Sequence, residues 1–138
     1  MNISLETLQE MWEKDSIIND VKLDEESLRI PQLHSKYLNL YSDYIMLKEK
    51  YELEQKIILR ELWEYYSGKS EKPFELKLLK QDIPMYIESD ERYQNNLNKI
   101  KYYSGIVSFL KEVLSSINSR SFIIKNSIEF KKFINGVV

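Results

Sequence analysis

Apolar residues recur along this chain at alternating steps of four and three over two long stretches. Between Pro31 and Tyr66 there is no internal Gly or Pro, and Leu33, Tyr37, Leu40, Tyr44, Leu47, Tyr51 and Ile58 fall on one seam that only Glu54 interrupts. That spacing predicts an amphipathic helix. At about 36 residues it would run about 54 Å, and a helix of that length with a heptad seam needs a second helix along much of it. Pro31 suits the first helical position, where its missing N–H would be unpaired anyway. Ser67-Gly68 supplies the stop, because Gly tolerates the left-handed turn that ends many helices.

A second helical pattern carries Tyr93, Leu97, Ile100, Tyr103, Val107, Leu110, Leu114 and Ile117, and continues through Ser121 to Ile124 and Ile128. Ser89 is placed to cap it, Asp90 and Glu91 favour its first turn, and Gly136 ends it. Gly105 inside the pattern costs about 1 kcal/mol relative to Ala, which points to a close helix contact there. In front stands a short helix from Ser4 to Lys14, capped by Ser4, with Leu5, Leu8 and Met11 or Trp12 at helical spacing. A polar connection, Asp15 to Leu23, and one further turn, Asp24 to Arg29, lead to Pro31. Between the long helices, Phe74 to Leu79 fits a helical turn or a short strand equally well. The expected fold is all-α and one domain. It comprises a small helical segment (1–30), a long helix (31–68), an irregular crossover (69–88) and a long C-terminal helical segment (89–138). Together they form a helical hairpin with coiled-coil-like seams or an oligomeric bundle.

Composition narrows the function classes. The chain has 138 residues, 43% hydrophobic and 30% charged, which suits one soluble domain able to bury about two-thirds of its unfolded surface. With no Cys, 3 Gly and 3 Pro, it has no disulfide framework, thiolate metal site or cysteine nucleophile, and little turn material for an all-β fold. No apolar run approaches the ~18 residues of a membrane span. The opening Met1-Asn2-Ile3-Ser4-Leu5-Glu6 lacks the basic-then-apolar start of a signal peptide. The net charge of −2 hides an asymmetry: residues 1–34 carry three basic and eight acidic residues, residues 99–138 seven basic and two acidic. Such a division invites self-assembly or two different partners, or simply keeps helices solvated.

Catalytic chemistry is poorly served. His34 is the single histidine and lies one position after a seam residue, which suits packing or a surface role better than a ligand role. Gly68-Lys69-Ser70 lacks the upstream glycine of a phosphate-cradling loop, and the adjacent Asp90 and Glu91 point to different helix faces. The expectation is a protein that is not an enzyme and takes no metal or cofactor. The informative stretch is Lys56 to Lys69, where cations and rings interleave. Lys56, Arg60 and Trp63 stand at i, i+4 and i+7 and share a helix face. Cations beside exposed rings suit single-stranded nucleic acid, phosphates on the charges and bases on the rings. Alternatively, Trp63, Tyr65 and Tyr66 simply pack the helix end.

The segment Leu62-Trp63-Glu64-Tyr65-Tyr66-Ser67-Gly68-Lys69 resembles the basic–aromatic signature of the UvsY recombination-mediator family of T-even-like phages. Leu8-Gln9-Glu10-Met11-Trp12, Leu33-His34-Ser35-Lys36-Tyr37-Leu38 and Ile123-Ile124-Lys125-Asn126 agree in the same order. The resemblance spans nearly the whole chain and is nearest to the branch carried by phages of cyanobacteria. It implies a non-catalytic protein that binds single-stranded DNA in the cytoplasm of the infected bacterial host. It also implies contacts with a UvsX-type recombinase and the phage single-stranded-DNA-binding protein, and help for the recombinase in displacing the latter. The family assembles into rings, expected here at about six or seven subunits. In the family, basic residues just before the Tyr-Tyr-Ser-Gly block bind DNA. Arg60 matches one such position, while Leu62 stands where a second basic residue is usual. Lys56 and Lys69 are the cations placed to compensate, and Lys72, Trp63, Tyr65 and Tyr66 complete the expected DNA-binding set. Subunit contacts are expected along Ile100, Tyr103, Val107, Leu110, Leu114, Ile117, Ile124 and Ile128, a seam longer than one hairpin covers. The alternative is a helical assembly or scaffold protein without DNA binding.

Overall fold

A computed structural model describes residues 3–136, and among these no strand occurs. The elements are α1 (Leu5–Asp15), α2 (Leu23–Tyr66), a 3₁₀ turn (Lys80–Asp82), α3 (Ile83–Glu88), α4 (Glu91–Asn118) and α5 (Arg120–Ile134). Ser4 caps α1 as its position suggested, its hydroxyl accepting the Thr7 N–H at 3.2 Å. The chain divides into two units, one of residues up to Ser42 together with those from Ile106 on, the other Asp43–Gly105.

Three expectations about helix boundaries are corrected. α2 begins at Leu23 rather than Pro31, and Pro31 lies inside it. The 3–4 spacing explains this, because Leu23, Glu26, Ile30, Leu33 and Tyr37 continue the seam backwards through the proline. Pro31 cannot donate to the carbonyl of Ser27, and both residues are exposed, a setting in which an unpaired helix carbonyl costs little. Secondly, the C-terminal segment is not one helix: it breaks at Ser119. There the run Ser115-Ser116-Ile117-Asn118-Ser119 competes for its own backbone. The Ser119 N–H bonds the Ser116 carbonyl at 3.1 Å and its hydroxyl bonds the Ser115 carbonyl at 3.4 Å. Thirdly, Ser89 caps the C-terminal end of α3, and the Asp90 carboxylate, accepting the Arg92 N–H at 2.9 Å, starts α4. The region 74–79 is neither helical turn nor strand, and the last two residues of the expected C-terminal segment lie outside those described.

In the first unit Leu8, Leu33, Tyr37 and Leu40 are buried, as are Ile106, Leu110, Val113, Ile117 and Ile124. The seam therefore runs one residue ahead of the expected one at Ile106 and Val113 of α4 and at Arg120, which opens α5, leaving Val107 and Leu114 half-buried. Two charged residues sit in this core. Glu26 accepts the Asn19 N–H at 2.8 Å and the Arg29 Nε at 3.1 Å. Arg120, 3% exposed, donates to the Ser16 carbonyl at 3.0 Å and lies 3.7 Å from Glu26. Burial lowers the Arg120 guanidinium below its ordinary range, Arg29 adds to this, and Glu26 and Asp15 oppose it. Lys131 on α5 also donates to the Asp20 carbonyl. The acidic head and basic tail of the chain thus meet within one unit, which absorbs part of the charge asymmetry.

In the second unit α2 and α4 run antiparallel, because rising numbers on one pair with falling numbers on the other. Tyr51 stacks on Tyr103 with centroids 5.4 Å apart. Asn96, 4% exposed, donates to the Gln55 side chain at 2.7 Å and to the Tyr51 carbonyl at 3.0 Å. Arg92 pairs with Glu61 at 2.6 Å, and the Tyr66 hydroxyl donates to Asp90 at 2.7 Å. Gln55 thus carries the seam past exposed Glu54 with a satisfied polar layer. Gly105 makes no close helix contact, contrary to expectation: a Cβ there would meet nothing within 4 Å.

Candidate nucleic-acid interface

The C-terminal end of α2 is fixed by its stop. The Lys69 N–H bonds the Glu64 carbonyl at 2.8 Å and the Gly68 N–H bonds Tyr65 at 3.3 Å, with Gly68 at φ +82°. This paired 6→1 and 5→2 arrangement is a Schellman cap, and the glycine is there because the turn is left-handed. The chain then leaves the helix and returns through the 3₁₀ turn into α3. Ile83 and Ile87, four apart on α3, bury against Ile58 and Leu62, four apart on α2, with Trp63, Tyr66, Leu78 and Tyr93 packed around them. Fully burying side chains of this kind contributes roughly 1.5–3 kcal/mol each, so α3 is held firmly against α2.

Beside that contact lies a cavity of about 670 Å³ lined by Lys56, Leu59, Arg60 and Trp63 of α2, Pro84, Ile87 and Glu88 of α3, and Tyr93 of α4. The three residues that the sequence placed on one helix face therefore open into one groove. Its wall is largely apolar and aromatic, with two exposed cations and one exposed carboxylate, Glu88. Glu61 is taken by Arg92, and among the described residues no ion pair engages Lys56 or Arg60. The Arg60 guanidinium is thus available for a bidentate contact with a phosphate. Trp63 also lines a neighbouring cavity of about 500 Å³ with Leu79, Lys80 and Gln81.

The other expected DNA-contacting residues lie elsewhere. Tyr65 and Tyr66 are half-buried in a ring cluster with Phe74 and Tyr86, their own centroids 4.9 Å apart and Tyr66 to Phe74 5.1 Å. Burial, then the Asp90 hydrogen bond and charge, push the Tyr66 phenol up to about 12, so it remains a donor locking the α2 end to the start of α4. Lys69 and Lys72 are exposed beyond the stop and line neither cavity. Of the wall residues, Leu59, Pro84, Ile87, Glu88 and Tyr93 carry no groove signal in the sequence. Nothing in the local pattern of 69–88 shows that α3 folds back on α2; the one signal is Pro84 in the first turn of a helix.

The expected subunit contacts divide by burial. Leu110, Ile117 and Ile124 are covered within the chain at 0–2% exposure. Ile100, Tyr103, Val107 and Leu114 are half-buried and Ile128 is exposed. A separate apolar stripe on α5 is open: Phe122, Ile123, Phe130, Phe133 and Ile134, with Phe133 80% exposed.

Residues 11–137 match the family described as "Recombination, repair and ssDNA binding protein UvsY". The recombination protein UvsY of Enterobacteria phage T4 is 28% identical over 134 residues, covering 96% of this chain and 98% of the relative. A crystal structure of the bacteriophage T4 recombination mediator protein UvsY is similar to this chain with a TM-score of 0.90 at 27% identity, covering 97% of this chain and 99% of that one. A second crystal form gives 0.89 at 26% identity, covering 95% and 99%.

Proposed function

Because the chain belongs to the UvsY family, it is a recombination mediator that binds single-stranded DNA, and we propose that the strand lies in the groove of Lys56, Arg60 and Trp63. The observation that carries this is the convergence of two unpaired cations and an indole on one pre-formed groove. Phosphates neutralise the cations and a base stacks on Trp63, a contact worth about 1–3 kcal/mol and indifferent to sequence. Tyr65, Tyr66 and Phe74 support the groove by holding the helix end. Arg60 carries the strongest contact, and Lys56 supplies the charge that Leu62 does not.

In this role the protein, without catalysis or cofactor, helps a UvsX-type recombinase replace the phage single-stranded-DNA-binding protein on the strand. It acts in the cytoplasm of the infected host; among the described residues no helix is long and apolar enough to cross a membrane. Subunits assemble into a ring through the exposed α5 stripe together with half-buried Val107 and Leu114 of α4. An exposed apolar stripe of this kind marks an interaction surface. Repeating one modest site around a ring converts weak contacts into strong binding through effective concentration, so an acidic subunit still holds DNA.

Trp63 itself tests the site. The chain has two Trp, and Trp12 meets Tyr37 edge to face at 5.3 Å, a contact that Trp12→Phe retains. In that variant, oligothymidylate is expected to quench the remaining indole emission in step with binding followed by anisotropy. Binding with unchanged emission contradicts the groove.

A further inference from the structure

We infer that the strand does not stop at Trp63 but crosses it onto the 3₁₀ turn, where Lys80 takes the next phosphate. This rests on the groove being the DNA site and adds the direction of the path. Trp63 lines both cavities, one together with Lys56 and Arg60 and the other together with Leu79, Lys80 and Gln81. A ring shared by two cavities that each hold a cation suits a single strand, phosphate, stacked base, phosphate.

The turn is also built to present its cation. Leu78 packs against the Ile58–Leu62 cluster and Ile83 belongs to it, so the turn is anchored at both ends. The Asp82 N–H closes it on the Leu79 carbonyl at 2.9 Å, leaving Lys80 and Gln81 exposed at its centre. Among the described residues no ion pair engages Lys80. Exposed Leu79 extends the apolar floor, and the Gln81 amide offers both donor and acceptor to a base edge. Because the turn is already fixed, binding need order only the Lys80 side chain and not the backbone that carries it. Sequence proximity alone favours Lys69 and Lys72, but neither lines the cavities that meet at Trp63.

The test compares Lys80→Ala, the double variant Lys69→Ala/Lys72→Ala and Arg60→Ala in the assembled protein. Each is titrated with fluorescein-labelled oligothymidylate over a series of salt concentrations. Each lost single-strand contact should flatten the slope of log affinity against log salt by about 0.7, which is about fivefold in affinity near 0.1 M salt. Lys80→Ala is expected to lose at least that much, Lys80→Arg to regain it, and the double variant to change less than Lys80→Ala. If Lys80→Ala binds as the wild type while Arg60→Ala is weakened, the path over Trp63 is wrong and the groove stands. The path is equally wrong if the double variant loses more than Lys80→Ala. If neither Arg60→Ala nor Lys80→Ala changes affinity or slope, the groove itself is wrong and this inference falls with it.

Discussion

Arg60 and Glu88 face one groove with opposite charges, and each should show in binding with opposite sign. Glu88 brings a carboxylate to where phosphates are proposed to lie. An exposed charge pair is worth at most about 1 kcal/mol, so Glu88→Gln is expected to tighten binding to single-stranded DNA by up to about fivefold. Titration at low salt checks this; unchanged or weaker binding would place the phosphates away from Glu88. Two other charged residues, Glu26 and Arg120, do the reverse work of holding the first unit together from inside. They also hide the seam at both ends. A Glu and an Arg at core positions look like surface to a hydrophobicity pattern. Apolar spacing therefore does not carry α2 back past Pro31, whose fitness for a first helical position then sets the start too late, and the α4 seam is shifted by one residue. Arg120 keeps two guanidinium nitrogens without hydrogen-bond partners, and no apolar periodicity signals so costly a burial.

Among the elements, what is legible in the sequence is what 3–4 spacing and caps dictate. α1 and its Ser4 cap, the long run of α2 and the Gly68 stop are all readable because each rests on local chemistry. The groove is legible only on its α2 side. Lys56, Arg60 and Trp63 share a face by helix geometry alone, whereas Pro84, Glu88 and Tyr93 reach it through a return of the chain that depends on Ile83 and Ile87 finding Ile58 and Leu62. Gly105 misleads in the other direction: its helical cost is real, but no neighbour requires it. Gly105→Ala is therefore expected to stabilise the chain by about 0.5–1 kcal/mol, raising the Tm by about 3 °C. Thermal melting by circular dichroism checks this, and a lower Tm would reveal a close approach at Gly105.

At the scale of the whole molecule, assembly and DNA binding are proposed to use different surfaces, the α5 stripe and the α2–α3 groove. Phe133 is 80% exposed, so Phe133→Asp should leave the fold intact while weakening assembly. Sedimentation should then show smaller species with unchanged helicity; an unaltered oligomer would move the contacts off that stripe. The groove is tested by the salt dependence of single-stranded-DNA binding for wild type and Lys56→Ala/Arg60→Ala, each confirmed by sedimentation to be equally assembled. Two lost phosphate contacts per engaged subunit should flatten the slope by about 1.4 for each subunit on the strand, with affinity falling together with it. Equal affinity and equal slope in intact assemblies would contradict the groove as the DNA site.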